Sequence, residues 1–134
     1  MCGECGQSIA DGRRRSTMLG SCPDQLLLQL GRIASTSGGR QKLSYLVEIP
    51  TVVDAGPFTE VGQQFGEPIL YDLKAVIHHL GTAYSGHYIA FVRDTTGQWY
   101  RFNDAKVTPV TDAHVLSSGA YLLSYAKRHG AGAP

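Results

Sequence analysis

The sequence predicts an α+β protein that is mainly β, built on an antiparallel sheet. Three observations predict it. Residues 71–80 alternate, with Tyr71, Leu73, Ala75 and Ile77 set against Asp72, Lys74, Val76 and His78, which is the period of two of a strand. Residues 87–94 and 98–103 form two strand-like runs separated by Thr95-Thr96-Gly97, a spacing short enough for a hairpin. Almost nothing in the chain reads as helix, so short turns rather than helical crossovers must join the strands.

Taken in order, residues 1–12 are rich in Gly and carry Cys2-x-x-Cys5, a knuckle-like turn. Arg13-Arg14-Arg15 is shorter than a nucleic-acid patch and reads as a solvated strand or turn. Gln25-Leu26-Leu27-Leu28-Gln29-Leu30 suits a buried strand or a helix of equal length. Residues 35–39 make a Ser- and Gly-rich turn. Residues 42–49 read as a strand stopped by Pro50. Residues 54–68 contain Gly56-Pro57, Gly62, Gly66 and Pro68 without periodicity and are expected as a long loop. Residues 81–86 are a small loop before the two central strands. A short extended piece covers 107–110, Thr111 is placed to cap one helical turn, and 120–126 is the last strand. Residues 1–128 make one domain and 129–134 a flexible tail.

Length and composition narrow the function classes. A chain of 134 residues is one domain and can bury a core without disulfides. A hydrophobic fraction of 43% and a charged fraction of 17% belong to a folded chain. A net charge of +1 provides no broad field for nucleic acid or an anionic membrane, so neither is expected as a partner. The start, Met-Cys-Gly-Glu-Cys-Gly, is too polar for a signal peptide. Three cysteines, two of them as Cys-x-x-Cys, point to a reducing compartment and so to the cytoplasm or nucleus.

The candidate chemistry lies at 84–104. His87 opens one central strand, and Asn103-Asp104 close the next. Antiparallel pairing brings the start of the first beside the end of the second. A His held by Asn or Asp is two thirds of a nucleophilic triad. Gly86 lets backbone approach a ligand closely, and Phe102 is expected to point into the core and fix Asn103. Asn and Asp also favour turns, so spacing alone leaves both readings of Asn103-Asp104 open. His78-His79 would face opposite sides of a strand, one toward a cleft and one toward solvent, which argues against a metal pair.

Four ordered motifs extend the reading: Tyr71-Asp-Leu-Lys-Ala-Val-Ile-His-His-Leu-Gly, Ser85-Gly-His-Tyr-Ile-Ala, Trp99-Tyr-Arg-Phe-Asn-Asp and Ala120-Tyr-Leu-Leu-Ser-Tyr. Together they resemble the His box of the ubiquitin-specific proteases, the papain-like cysteine deubiquitinases. The resemblance covers nearly the whole chain but only the C-terminal half of the family's catalytic domain, a palm and fingers half. It implies a thiol hydrolase of peptide or isopeptide bonds after the ubiquitin C-terminal glycine. His87 would be the catalytic histidine, Asn103 the residue that orients it and Asp104 a neighbouring acid. Tyr84, Ser85, Gly86 and Tyr88 would meet the ubiquitin tail. Loop 81–86 resembles one blocking loop, and 54–68 sits near the other. No cofactor would be needed for catalysis. Partners would be ubiquitin, ubiquitinated proteins and the N-terminal half of the domain.

The departure from the family pattern is the nucleophile. The family places its cysteine in a Cys box at the head of a helix, and this sequence has none. Cys22 precedes a Pro and reads as a small buried hydrophobe. Cys2 and Cys5 resemble one of the two knuckles that hold zinc in the family's fingers, half of a tetrahedral set. The rival reading is a catalytically dead ubiquitin-binding or interaction module, which a Cys box on the full transcript would exclude.

Overall fold

The computed structural model describes residues 16–44, 46–117 and 119–129. The strands are β1 (Gln25–Gln29), β2 (Ile33–Thr36), β3 (Gly39–Lys42), β4 (Val52–Asp54), β5 (Leu70–Gly81), β6 (Gly86–Arg93), β7 (Trp99–Asn103), β8 (Lys106–Val110) and β9 (Ala120–Lys127). Among the described residues two short helices join them, α1 (Glu60–Phe65) and α2 (Asp112–Val115). The mainly antiparallel character read from the sequence is observed. Seven strands form one sheet in the order β1-β9-β5-β6-β7-β8, with β4 also paired to β5. β2 and β3 stand apart as a two-stranded hairpin.

β5 is the axis. Its register sets His78 opposite Ile89 and Leu80 opposite His87, while β9 lies on its other side with Leu123 opposite Val76. Residues directly opposite share a face, so one face collects Tyr71, Leu73, Val76, His78, Ile89, Phe91, Trp99, Leu123 and Tyr125, all buried. Ile49, Ala55 and Val115 of α2 cover it. The other face carries Tyr88, Val92 and Phe102, all exposed. Burying the core face of such side chains stabilises by roughly 1.5–3 kcal/mol for each large residue.

Three local expectations are corrected. Among the described residues of 43–50 there is no strand. The Leu43 amide donates to the Arg32 carbonyl at 2.6 Å and Arg32 Nη1 donates to the Leu43 carbonyl at 3.1 Å, so Arg32 satisfies backbone that a ladder would otherwise satisfy. The turn expected at 35–39 is present: Ser37 and Gly38 turn the chain between β2 and β3. The loop expected at 54–68 holds a 3-10 turn, Gly56–Phe58, and α1. Thr59 caps α1 by accepting from the Gly62 amide at 2.9 Å, and Asp54 Oδ1 ties the segment's ends by accepting from Gly56 and Ile69. A helix of six residues is too short to show a period of 3.6. Phe102 does not enter the core. It is 39% exposed, and Trp99, on the opposite face, anchors β7 instead.

The hairpin between the central strands forms as expected. Asp94 Oδ1 accepts from the Thr96 and Gln98 amides, and Gly97 takes a φ of 92°. Thr111 occupies the cap position of α2 without a side-chain hydrogen bond. No helix among the described residues is long and apolar enough to cross a membrane.

Candidate functional site

The β6–β7 ladder ends at Ala90 opposite Phe102. One residue further, Asn103 falls on the face of Arg101 and Trp99. His87 falls on the face of Ile89 and Phe91, which is the same face. His87 is therefore a diagonal neighbour of Asn103, within reach of two long side chains. His87 Nε2 lies 2.8 Å from Asn103 Oδ1. The oxygen can only accept, so Nε2 carries the proton and the lone pair of the ring sits on Nδ1. His87 is exposed and Asn103 half-buried. The imidazole is thus fixed in tautomer and angle at the open end of the sheet, with its basic nitrogen free.

Asp104 does not join this pair. It follows Asn103 as the first residue of the two-residue turn into β8, with a φ of 53°, and its side chain is exposed. Asn and Asp tolerate this left-handed backbone better than other residues with a Cβ. The two residues thus separate, Asn103 meeting His87 and Asp104 making the turn.

The four residues expected near a ubiquitin tail are all exposed. Tyr84 is 71% exposed, yet its hydroxyl accepts from the Arg40 amide at 2.7 Å. The Ser85 carbonyl accepts from the Thr82 amide at 2.7 Å, which closes a tight loop of residues 82–85 between β5 and β6. Gly86 opens β6 opposite Gly81. Tyr88 points to the face opposite His87, its ring 5.0 Å from His79 and 6.2 Å from Tyr121.

His78 and His79 separate to opposite faces, as neighbours on a strand do. His78 is 4% exposed and lies in the core, with Nε2 2.7 Å from the Val115 carbonyl and its ring 4.4 Å from Phe91. Burial pushes its pKa below the ordinary imidazole value. His79 is half-buried over Gly86, and desolvation lowers its pKa as well, followed by the Lys42 charge. Among the described residues, no group of three His, Cys, Asp or Glu side chains could hold a metal.

Cys22 is half-buried against the core beside Tyr71, whose hydroxyl donates to the Pro23 carbonyl. Tyr71 stands near the start of β5, and His87 pairs with Leu80 near its end. That strand length puts about 30 Å between the Cys22 and His87 regions. Cys2 and Cys5 lie outside the described residues.

Sequence reasoning missed Gly39, Arg40 and Lys42. Lys42 Nζ donates to the carbonyls of His79 and Gly81, at 2.9 and 3.1 Å. These contacts join positions about forty residues apart, and no local period marks such pairs.

Three comparisons bear on this arrangement. The family model described as "Ubiquitin carboxyl-terminal hydrolase" matches residues 1–125. The chain is 35% identical to ubiquitin carboxyl-terminal hydrolase 8 of Saccharomyces cerevisiae, over 95% of this chain and 28% of that protein. It is 35% identical to ubiquitin carboxyl-terminal hydrolase 17 of Homo sapiens, over 95% of this chain and 23% of that protein. It thus spans about a quarter of the length of these relatives. Among solved structures, the SAGA Ubp8/Sgf11/Sus1/Sgf73 DUB module bound to ubiquitin aldehyde matches with a TM-score of 0.76 and 34% identity, over 84% of this chain and 26% of that one.

Proposed function

From the premise that the chain belongs to the ubiquitin carboxyl-terminal hydrolase family, as a ubiquitin-specific protease relative, we propose that it supplies the general base and its orienting group for thiol-dependent hydrolysis after the ubiquitin C-terminal glycine. The observation that carries this reading is the hydrogen bond from His87 Nε2 to Asn103 Oδ1. With the proton on Nε2, Nδ1 takes the proton of an incoming cysteine thiol. The thiolate attacks the carbonyl carbon of the scissile bond. The imidazolium returns the proton to the departing lysine amine, leaving a thioester that water then hydrolyses. Asn103 holds the ring through this cycle without adding a charge.

The thiol is supplied by another polypeptide segment. Of the three cysteines in the sequence, Cys22 is far from His87, and Cys2 and Cys5 are spaced as half of a zinc set. Zinc at that pair would need two further ligands from the same additional segment. The structural relative was solved with ubiquitin aldehyde bound, which supports ubiquitin or a ubiquitinated protein as the partner of this chain. Loop 82–85 and Gly86 would flank the tail where it reaches His87.

The test joins the chain to a Cys-box half from a relative and measures cleavage of a ubiquitin fluorogenic amide. Cleavage lost with His87→Ala is expected. Equal turnover by the His87→Ala version would remove His87 from the mechanism. The distance of Cys22 from His87 favours a second reading for the chain alone, a ubiquitin-binding module. A pull-down of mono-ubiquitin by the unjoined chain separates the two.

A further inference from the structure

The β2–β3 hairpin makes no ladder to the seven-stranded sheet, yet three consecutive features of β3 grip the loop that delivers the chain to His87. At the loop tip, Tyr84 accepts from the Arg40 amide at 2.7 Å. At the loop base, Lys42 Nζ donates to the Gly81 carbonyl at 3.1 Å and to the His79 carbonyl at 2.9 Å. Beside them Gly39 has a φ of 112°, and a Cβ built there would stand 2.4 Å from Tyr84 Oη. The glycine is what lets the phenol reach its donor.

Tip and β5-side base are thus held from the same short strand. The loop adds its own closure, with Thr82 Oγ1 accepting from the Tyr84 and Ser85 amides. Loop and hairpin are thus tied at two points. Only Gly86 separates it from His87. Lys42 is partly desolvated, which lowers its pKa, but its two carbonyl acceptors are backbone groups that do not titrate.

We propose that Tyr84 and Lys42 are positioning residues for His87: the β2–β3 hairpin clamps loop 82–85 at its tip and at its β5 base and so sets the backbone that leads to the histidine. Tyr84 acts through its hydroxyl on the hairpin rather than on a ligand. A partner seated on the hairpin would thereby reach His87 without touching it. The inference rests on the reading of His87 as the general base, but the clamp can be measured without any cleavage.

The experiment is amide hydrogen exchange and imidazole NMR on the 134-residue chain, with Tyr84→Phe and Lys42→Met as variants. Tyr84→Phe keeps the ring and removes one ordinary hydrogen bond, so exchange of the Arg40 amide and of amides 82–85 should speed up about fivefold. The His87 imidazole signals should shift or broaden, while the core amides of Val76 and Phe91 keep their protection. Lys42→Met should do the same to amides 82–85 and to His87. If either variant leaves amides 82–85 within about twofold of the parent and the His87 signals unmoved, the clamp is refuted. That result would leave the cleavage assay of the joined domain untouched. Conversely, failure of the joined domain to cleave ubiquitin would not alter the exchange data.

Discussion

Gly86 lies directly beneath the His79 ring: a Cβ at Gly86 would stand 2.1 Å from His79 Nε2 and 2.6 Å from the Leu80 carbonyl oxygen. Neither neighbour can give way easily. The His79 ring is flanked by Tyr88 at 5.0 Å and Tyr121 at 6.1 Å, and the Leu80 carbonyl belongs to the β5–β6 pair. Gly86→Ala should therefore lower stability by about 1–3 kcal/mol through overpacking. Thermal and urea melts measure this. A variant as stable as the parent would mean that the strand start yields freely.

His87 and Asn103 make the second prediction. In the joined domain, His87→Ala should reduce kcat by at least about a hundredfold, within the usual range for losing a general base. Asn103→Ala should cost less, roughly tenfold or more, because the ring survives but loses its orienter. Asp104→Ala should cost least, since its side chain is turned out at the β7–β8 corner. In the chain alone, nitrogen-15 NMR of the neutral imidazole should show the proton on Nε2. A proton on Nδ1 would contradict the 2.8 Å bond to Asn103 Oδ1.

His78 should make the fold acid-sensitive. Burial lowers its pKa most, the Val115 carbonyl opposes this, and the charges of His114, Arg32 and Arg101 add to the lowering. The folded state then binds a proton less readily than the unfolded chain. This contribution is fully present above the unfolded value of about 6.5 and is lost as pH falls below it toward the folded pKa. One such proton changes stability by up to about 1.4 kcal/mol for each pH unit. Urea melts from pH 7.5 to 5 should show the decline, and His78→Gln should flatten it. A parent whose stability does not change across that window would contradict the burial argument.

The chain alone should not react with a ubiquitin probe that traps cysteines. Cys22 is half-buried near the end of β5 that lies away from His87. Intact mass spectrometry after incubation is the measurement. An adduct abolished by Cys22→Ala would show that the thiol reaches the ubiquitin tail after all.

Much of this was legible in the sequence because pleating is local. The alternation at residues 71–80 marked β5, and the Thr95-Thr96-Gly97 turn marked the hairpin of β6 and β7. Antiparallel pairing of that hairpin then brought His87 to Asn103, and the period of two put them on one face. The same period could divide β7 into two faces but could not say which was covered. Coverage depends on Ile49, Ala55 and Val115, which arrive from elsewhere in the chain, and they meet Trp99's face rather than Phe102's.

Side-chain chemistry likewise named Asn103 and Asp104 together, since both types orient histidines and both make turns. Only the tertiary structure separates them, with Asn103 bonded to His87 and Asp104 in the left-handed turn. His78 is a core residue because α2 folds back over β5 and offers the Val115 carbonyl. The grip of Arg40 and Lys42 on loop 82–85 exists because a separate hairpin comes to rest beside it. Strand periods and turn types are set by neighbours a few residues apart, so the sequence by itself determined them. Which face is dry, and which donor meets which carbonyl across about forty residues of chain, follows from long-range packing, and only the tertiary structure decided it.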